Sequence, residues 1–144
     1  MQRRYFLMSA GAAVTAGKRA IAAGEKVNVA LMGLRGRGLT MARWFGALPD
    51  VNIPVVCDVD SNVVGPAIKI ITEAKGKQPQ LVSDIRRVLD DKSIDAVIMA
   101  TPIHWHAAGT ILACDAGKDP VEAASHNGER TAGGGSGAGT ASCR

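Results

Sequence analysis

The amino-acid sequence predicts an α/β domain over residues 25–123, with a parallel sheet of about five strands and flanking helices. Short apolar runs alternate with segments of helical periodicity from residue 27 to about residue 123. A glycine cluster closes the first apolar run, and an aspartate follows the second. A crossover helix carries the chain back over one face of the sheet. Alternation at this spacing therefore means right-handed βαβ units, the Rossmann-like arrangement.

Residues 26–32 form an apolar run that ends in glycine, which reads as a buried strand. From Gly38 the residues Leu39, Ala42, Phe45 and Leu48 recur at three-residue spacing, the stripe of a helix resting on a sheet. Residues 51–57 are a second strand run. Pro54 within it lacks a ladder donor, so a local distortion is expected there. Ser61 is placed to cap a helix carrying Ile68, Ile70 and Ile71, with Gly65-Pro66 breaking or delaying its first turn.

Leu81-Val82 is a minimal third strand, and Asp84 caps a short helix with Ile85, Val88 and Leu89 on one face. Residues 94–100 are the clearest strand, an apolar run closed by Thr101-Pro102. A helix follows over 106–116, with Ala108, Ile111 and Leu112 inward and Gly117 at its C′ position. A fifth strand starts near Lys118.

The ends of the chain read differently. Arg3-Arg4 followed by Tyr5-Phe6-Leu7 is similar to a twin-arginine export signal, with a mildly apolar run over 9–16 and Ala20-Ile21-Ala22 as a small–x–small cleavage pattern. Residues 1–22 are thus expected to direct a folded protein out of the cytoplasm, to the periplasm or beyond. Residues 128–144 contain six glycines among Ala, Ser and Thr with no apolar periodicity, so 124–144 is expected to be a Gly-rich disordered tail.

Charge excludes one class of partner. The 17 Lys+Arg against 13 Asp+Glu leave a net charge of +4 and a pI of about 9.2. Arg3, Arg4, Lys18 and Arg19 account for all of that excess, so residues 23–144 are formally neutral and offer no phosphate-tracking surface for a nucleic acid. An uninterrupted apolar window of about 18 residues, which a membrane span requires, does not occur.

Three cysteines at wide spacing form no C-x-x-C pair, and Cys57 and Cys114 read as buried small hydrophobes. His104 and His106 make a His-x-His pair without a third ligand nearby, so no metal site is expected.

Gly33-Leu34-Arg35-Gly36-Arg37-Gly38 follows the first strand and opens the first helix. In a dinucleotide fold the first glycine makes a tight turn and the second lets backbone N–H groups approach the pyrophosphate. The third allows close helix–strand packing. Gly33 and Gly38 fill the first and third roles. Arg35 stands where the middle glycine is usual, with Gly36 one place later. Asp58, after the second strand, can accept both ribose hydroxyls of an adenosine and repel a 2′-phosphate, which favours NAD over NADP. Asp60 can share that role, compete for it, or cap the next helix.

Gly33–Gly38, Cys57-Asp58-Val59-Asp60, residues 90–97 and Ala100-Thr101-Pro102-Ile103-His104-Trp105-His106 together resemble the Gfo/Idh/MocA oxidoreductases, named for glucose–fructose oxidoreductase and inositol dehydrogenase. The likeness covers about residues 25–119. The Gly-Arg-Gly turn and the exported N-terminus are similar to the family's twin-arginine-bearing bacterial members. This resemblance implies a dinucleotide held by Gly33, Arg35, Gly36, Gly38 and Asp58, with Thr101, Pro102 and His106 toward the nicotinamide half. Trp105 is read as a cleft wall or packing residue.

The same resemblance implies a Glu-Lys-Pro sequence after the fifth strand, whose lysine positions substrate and handles the proton during hydride transfer. This chain has Glu122-Ala123-Ala124 there, and Lys118 belongs to the helix end. The family's second domain, which supplies most of the substrate site, is expected to be absent, and no catalytic residue is assigned. A reading-frame lesion near residue 120 would explain the abrupt change in composition. The expected function is a truncated NAD-binding domain. Completed by a second domain, it would belong to an exported NAD-dependent sugar or polyol dehydrogenase or an NAD-dependent glycosidase; otherwise the chain is an inert fragment.

Overall fold

The computed structural model describes residues 25–123 and 139–140. The five apolar runs become parallel strands: β1 (Val27–Met32), β2 (Val51–Cys57), β3 (Gln80–Val82), β4 (Ala96–Met99) and β5 (Asp119–Glu122). Between them lie α1 (Gly36–Ala47), α2 (Val64–Lys75), α3 (Ile85–Asp90) and α4 (His106–Asp115). A 3-10 turn over Ile103–Trp105 leads into α4.

The sheet runs β3-β2-β1-β4-β5, with the two-residue β6 (Gly139–Thr140) added antiparallel to β5. Strand order reverses at β1, so β1 and β4 lie side by side while their connections leave in opposite directions. This is the Rossmann-like fold, and the place between β1 and β4 is where such sheets open a crevice at their carboxyl edge. The export-signal reading of 1–22 falls outside the described residues. So does the tail reading of 124–144, apart from the β6 pair.

Both faces of the sheet are covered, which is why the central stretches of β1, β2 and β4 are apolar on both sides. Val29 and Leu31 of β1 pack with Met41 and Ala42 of α1 and Ala67 and Ile71 of α2. Ala30 and Met32, one residue out of phase, belong to the opposite face with Val55, Val82, Val88, Val97 and Met99. Ile98 and Leu31 are fully buried at the sheet centre.

Pro54 produces the expected distortion. Asn28 pairs with Asn52, but Ala30 pairs with Val55, so β2 holds one extra residue beside β1 at Ile53-Pro54. The bulge places the residue without an N–H where the ladder is already interrupted.

Several local expectations hold: Asp84 caps α3 by accepting from the Arg86 N–H at 3.0 Å, and Gly117 takes a left-handed φ of 72° after α4. Others are corrected. α2 begins at Val64, after Ser61, because Asp60 takes the Asn62 N–H first and Pro66 is accommodated in the first turn. Leu48, at the end of the α1 stripe, is exposed.

The inward face of α4 is also different. His106, Gly109 and Ala113 face the sheet, while Ala108, Ile111 and Leu112 are exposed. α4 lies so near the sheet that a Cβ on Gly109 would stand 2.6 Å from the Met99 sulfur. Small residues fit that contact and large ones do not.

Cys57 is a buried free thiol, its pKa pushed up to about 11 by burial first and then by Asp58 and Asp84. Cys114 is half-buried and disulfide-bonded, which corrects its reading as a simple buried hydrophobe.

Truncation of Ile98 to Ala is expected to cost about 3 kcal/mol in denaturant unfolding, from lost burial and the cavity left behind. Ile111→Ala is expected to stay within about 0.5 kcal/mol, since its side chain is 61% exposed. The opposite ranking would reinstate the first reading of α4.

Candidate functional site

The carboxyl ends of the strands bring three segments together: the bend after β1, the loop after β2 and the segment after β4. The Gly33 N–H donates to the Cys57 carbonyl at 2.9 Å, and the Ala100 N–H donates to the Met32 carbonyl at 2.8 Å. These two bonds continue the ladder one step past the strands and fix the bend between its neighbours.

Gly33 has a φ of +84°, and a Cβ there would lie 2.8 Å from the carbonyl carbon and oxygen of Ala100. Gly38 is tighter still, because its Cβ would meet the Gly33 carbonyl oxygen at 2.0 Å. Gly36 differs from both, with a φ of +21° and open space where a Cβ would project. Arg35 sits at the N-cap of α1 with φ −82° and ψ 166°, an extended conformation open to any residue. An arginine can therefore replace the usual middle glycine without backbone strain.

No side chain caps α1, and no acid lies in its first turn. Its first amides point out of the helix toward the crevice with the positive end of the helix dipole behind them. Such a terminus favours an anion.

Asp58 reaches this bend. Its Oδ2 accepts the Leu34 N–H at 2.8 Å and its Oδ1 accepts the Asp60 N–H at 2.9 Å. Each oxygen keeps a further lone pair for a hydroxyl. The Arg35 guanidinium crosses to Asp60, with Nη2 2.6 Å from Oδ2. Hydrogen bonds from the Asn62 backbone first, and from Arg35 next, hold the Asp60 carboxyl below the usual carboxylate range. It is ionised at neutral pH. Its pairing with Arg35 is complete above the ordinary carboxylate value and is lost as the pH falls through the depressed one.

On the β4 side Thr101 adjoins Gly33, and its Oγ1 is buried without a hydrogen-bond partner. Pro102 and Trp105 are exposed. His106 is buried, with Nε2 2.9 Å from the Thr101 carbonyl oxygen and Nδ1 3.8 Å from Glu122 Oε2. The Thr110 hydroxyl donates to Glu122 Oε1 at 2.7 Å.

The ring of His106 thus supports the Thr101 segment from behind. Gly33, Gly36, Gly38, Arg35, Asp58 and Thr101 gather at one crevice, with Pro102 at its margin. Sequence reasoning missed Glu122 as a partner of His106 and Thr110. The signal was a carboxylate at the carboxyl end of the short fifth strand.

Lys118 lies at the opposite edge of the sheet. It is buried, donates to the carbonyls of Asp91 and Ile94, and burial lowers its pKa. Arg37 stacks on Trp44 at 5.3 Å, and its Nε is the other partnerless buried side-chain atom among the described residues. No group of three His, Cys, Asp or Glu that could hold a metal occurs among the described residues, and none of their helices is long and apolar enough to cross a membrane.

The donor set suits a dinucleotide. The bend offers amides and open space at Gly36, Asp58 offers anchored acceptors, and Thr101 offers an unspent hydroxyl.

No protein-family model matches the chain. It is 34% identical over 128 residues to a glycosyl hydrolase family 109 protein of Stenotrophomonas maltophilia, covering 81% of this chain and 28% of that protein. An alpha-N-acetylgalactosaminidase of Shewanella oneidensis is 32% identical over 98 residues, covering 65% and 21%. Among solved structures, levoglucosan dehydrogenase in complex with NADH and levoglucosan superposes with a TM-score of 0.58 at 26% identity, covering 68% and 27%. The fold is that of the Gfo/Idh/MocA-like NAD-binding N-terminal domain. The chain spans between 19% and 28% of the length of curated relatives such as these.

Replacement of Gly33 or Gly38 by Ala is expected to lower stability by about 3 kcal/mol or more, since backbone must move in each case. Gly36→Ala is expected to cost about 1 kcal/mol, for its positive φ alone. Thermal melts of the three variants test this order.

Proposed function

We propose that this domain binds NAD across the carboxyl edge of β1, β2 and β4. The observation that carries this reading is the Asp58 carboxylate, held against the Leu34 amide in the glycine bend. It puts a ribose acceptor and a diphosphate-binding turn side by side, as a dinucleotide needs. The diphosphate lies on the first turn of α1 beside Gly36 and Arg35. The adenosine ribose bonds to Asp58, and the nicotinamide half extends past Gly33 toward Thr101 and Pro102. His106, backed by Glu122, holds that last segment in place. Bound NAD would supply hydride chemistry; the chain's own residues bind and orient it.

The described residues bind and orient the cofactor, and no proton-handling group is assigned among them. Hydride transfer needs a proton-handling group and a positioned substrate. The cation nearest in sequence to the expected lysine, Lys118, is spent on carbonyls at the far edge. The whole protein to which these residues belong would be an exported NAD-dependent enzyme acting on a sugar. The names of its relatives favour a glycosidase over a simple dehydrogenase. Export through the twin-arginine route fits a protein that folds around a soluble cofactor before it crosses the membrane.

Calorimetric titration with NAD should give saturable heat in the micromolar to millimolar range, and absence of any heat at millimolar NAD would leave the inert fragment as the answer. Asp58→Ala should weaken NAD about tenfold or more and NADP less, because it removes an acceptor from one ligand and a repulsion from the other. Equal losses would remove the ribose assignment. Gly36→Val should keep a cooperative melt yet weaken NAD strongly, since its side chain enters the space left for the diphosphate.

A further inference from the structure

Around Asp58 the structure closes a ring. The Leu34 amide bonds Asp58 Oδ2, Asp58 Oδ1 accepts from the Asp60 amide, Asp60 Oδ2 pairs with Arg35, and Arg35 follows Leu34 in the bend. The ring sets one guanidinium and two carboxylates at the ribose end of the crevice, a net charge of one negative. An arginine near the ribose-binding acid can receive a 2′-phosphate in NADP-binding folds. Here its fork is turned to Asp60 instead.

We infer that Asp60 sets the choice between the two dinucleotides by holding the Arg35 guanidinium away from the adenosine 2′ position. The inference rests on the reading of this crevice as the dinucleotide site. Asp58 excludes a 2′-phosphate by its own charge. Asp60 acts through Arg35, whose Nη2 it holds by one hydrogen bond.

The pair has little else to do. The Arg35 side chain is 74% exposed and that of Asp60 is 32% exposed, and ion pairs in such surroundings contribute little to stability. Asp60 also has a separate local role, because its Oδ1 accepts the Asn62 N–H at 3.0 Å in the turn before α2. An asparagine keeps that turn and loses the charge, so Asp60→Asn separates the two roles.

The test uses the full chain and titrates NAD, NADP and adenosine 2′,5′-bisphosphate by calorimetry at low and moderate salt. In Asp60→Asn the affinity for NADP relative to NAD should rise about tenfold, equal to about 1.4 kcal/mol, and adenosine 2′,5′-bisphosphate should follow NADP. The gain should shrink with salt. Adding Arg35→Ala to Asp60→Asn should abolish it.

An unchanged NADP-to-NAD ratio in Asp60→Asn would overturn the inference, and so would a gain that survives Arg35→Ala. Failure of wild type to bind NAD would instead bring down the site reading on which the inference stands. Should Asp60→Asn not fold, Arg35→Ala alone decides: its loss of the guanidinium should leave the ratio unmoved or lower, and a rise would overturn the inference.

Discussion

The close approach of Gly33 to the Ala100–Thr101 peptide, and of Gly38 to Gly33, is the constraint on which the site depends. A β-carbon at either position would occupy space already filled by backbone. Without it, the end of β1, the start of α1 and the end of β4 occupy one small volume. That proximity aims the first amides of α1 along the carboxyl edge of the sheet. It also brings the Leu34 amide within reach of Asp58, just after β2. The site is therefore a consequence of packing density at the switch in strand order, with side chains added around it.

The two edges of the sheet treat polar groups differently. At the amino edge, Asn28 is bonded to Asp95, Ser93 and Asn52, and Lys118 donates to two carbonyls. These groups satisfy one another and stabilise the strand starts. At the carboxyl edge, Thr101 Oγ1 and Arg37 Nε are buried without partners. Buried polar atoms are costly when unpaired, and among the described residues both such side-chain atoms lie beside the glycine bend. Asp58 lies between these extremes, anchored by two amides yet with acceptor capacity to spare.

α4 shows how the same economy of space acts away from the bend. Gly109 and Ala113 let it settle on Met99, and His106 at its start fills the gap under Thr101. Its larger apolar residues are left outside. The segment that carries Thr101 is thus supported by a helix seated through small side chains and by an imidazole braced against Glu122.

The alternation of strand and helix, the Asp84 cap, the left-handed Gly117 and the bulge at Pro54 could all be read from neighbouring residues, because each depends on local backbone chemistry. The glycine bend was legible for the same reason: a turn of that shape leaves a signature within six residues. The inward face of α4 was not, since apolar residues surround that helix and only the nearness of Met99 chooses among them. Nor were the start of α2, the burial of His106, the Glu122 brace or the Arg35–Asp60 pair. Those depend on which groups from distant parts of the chain arrive first at a shared donor or acceptor, and three-dimensional packing alone decides that.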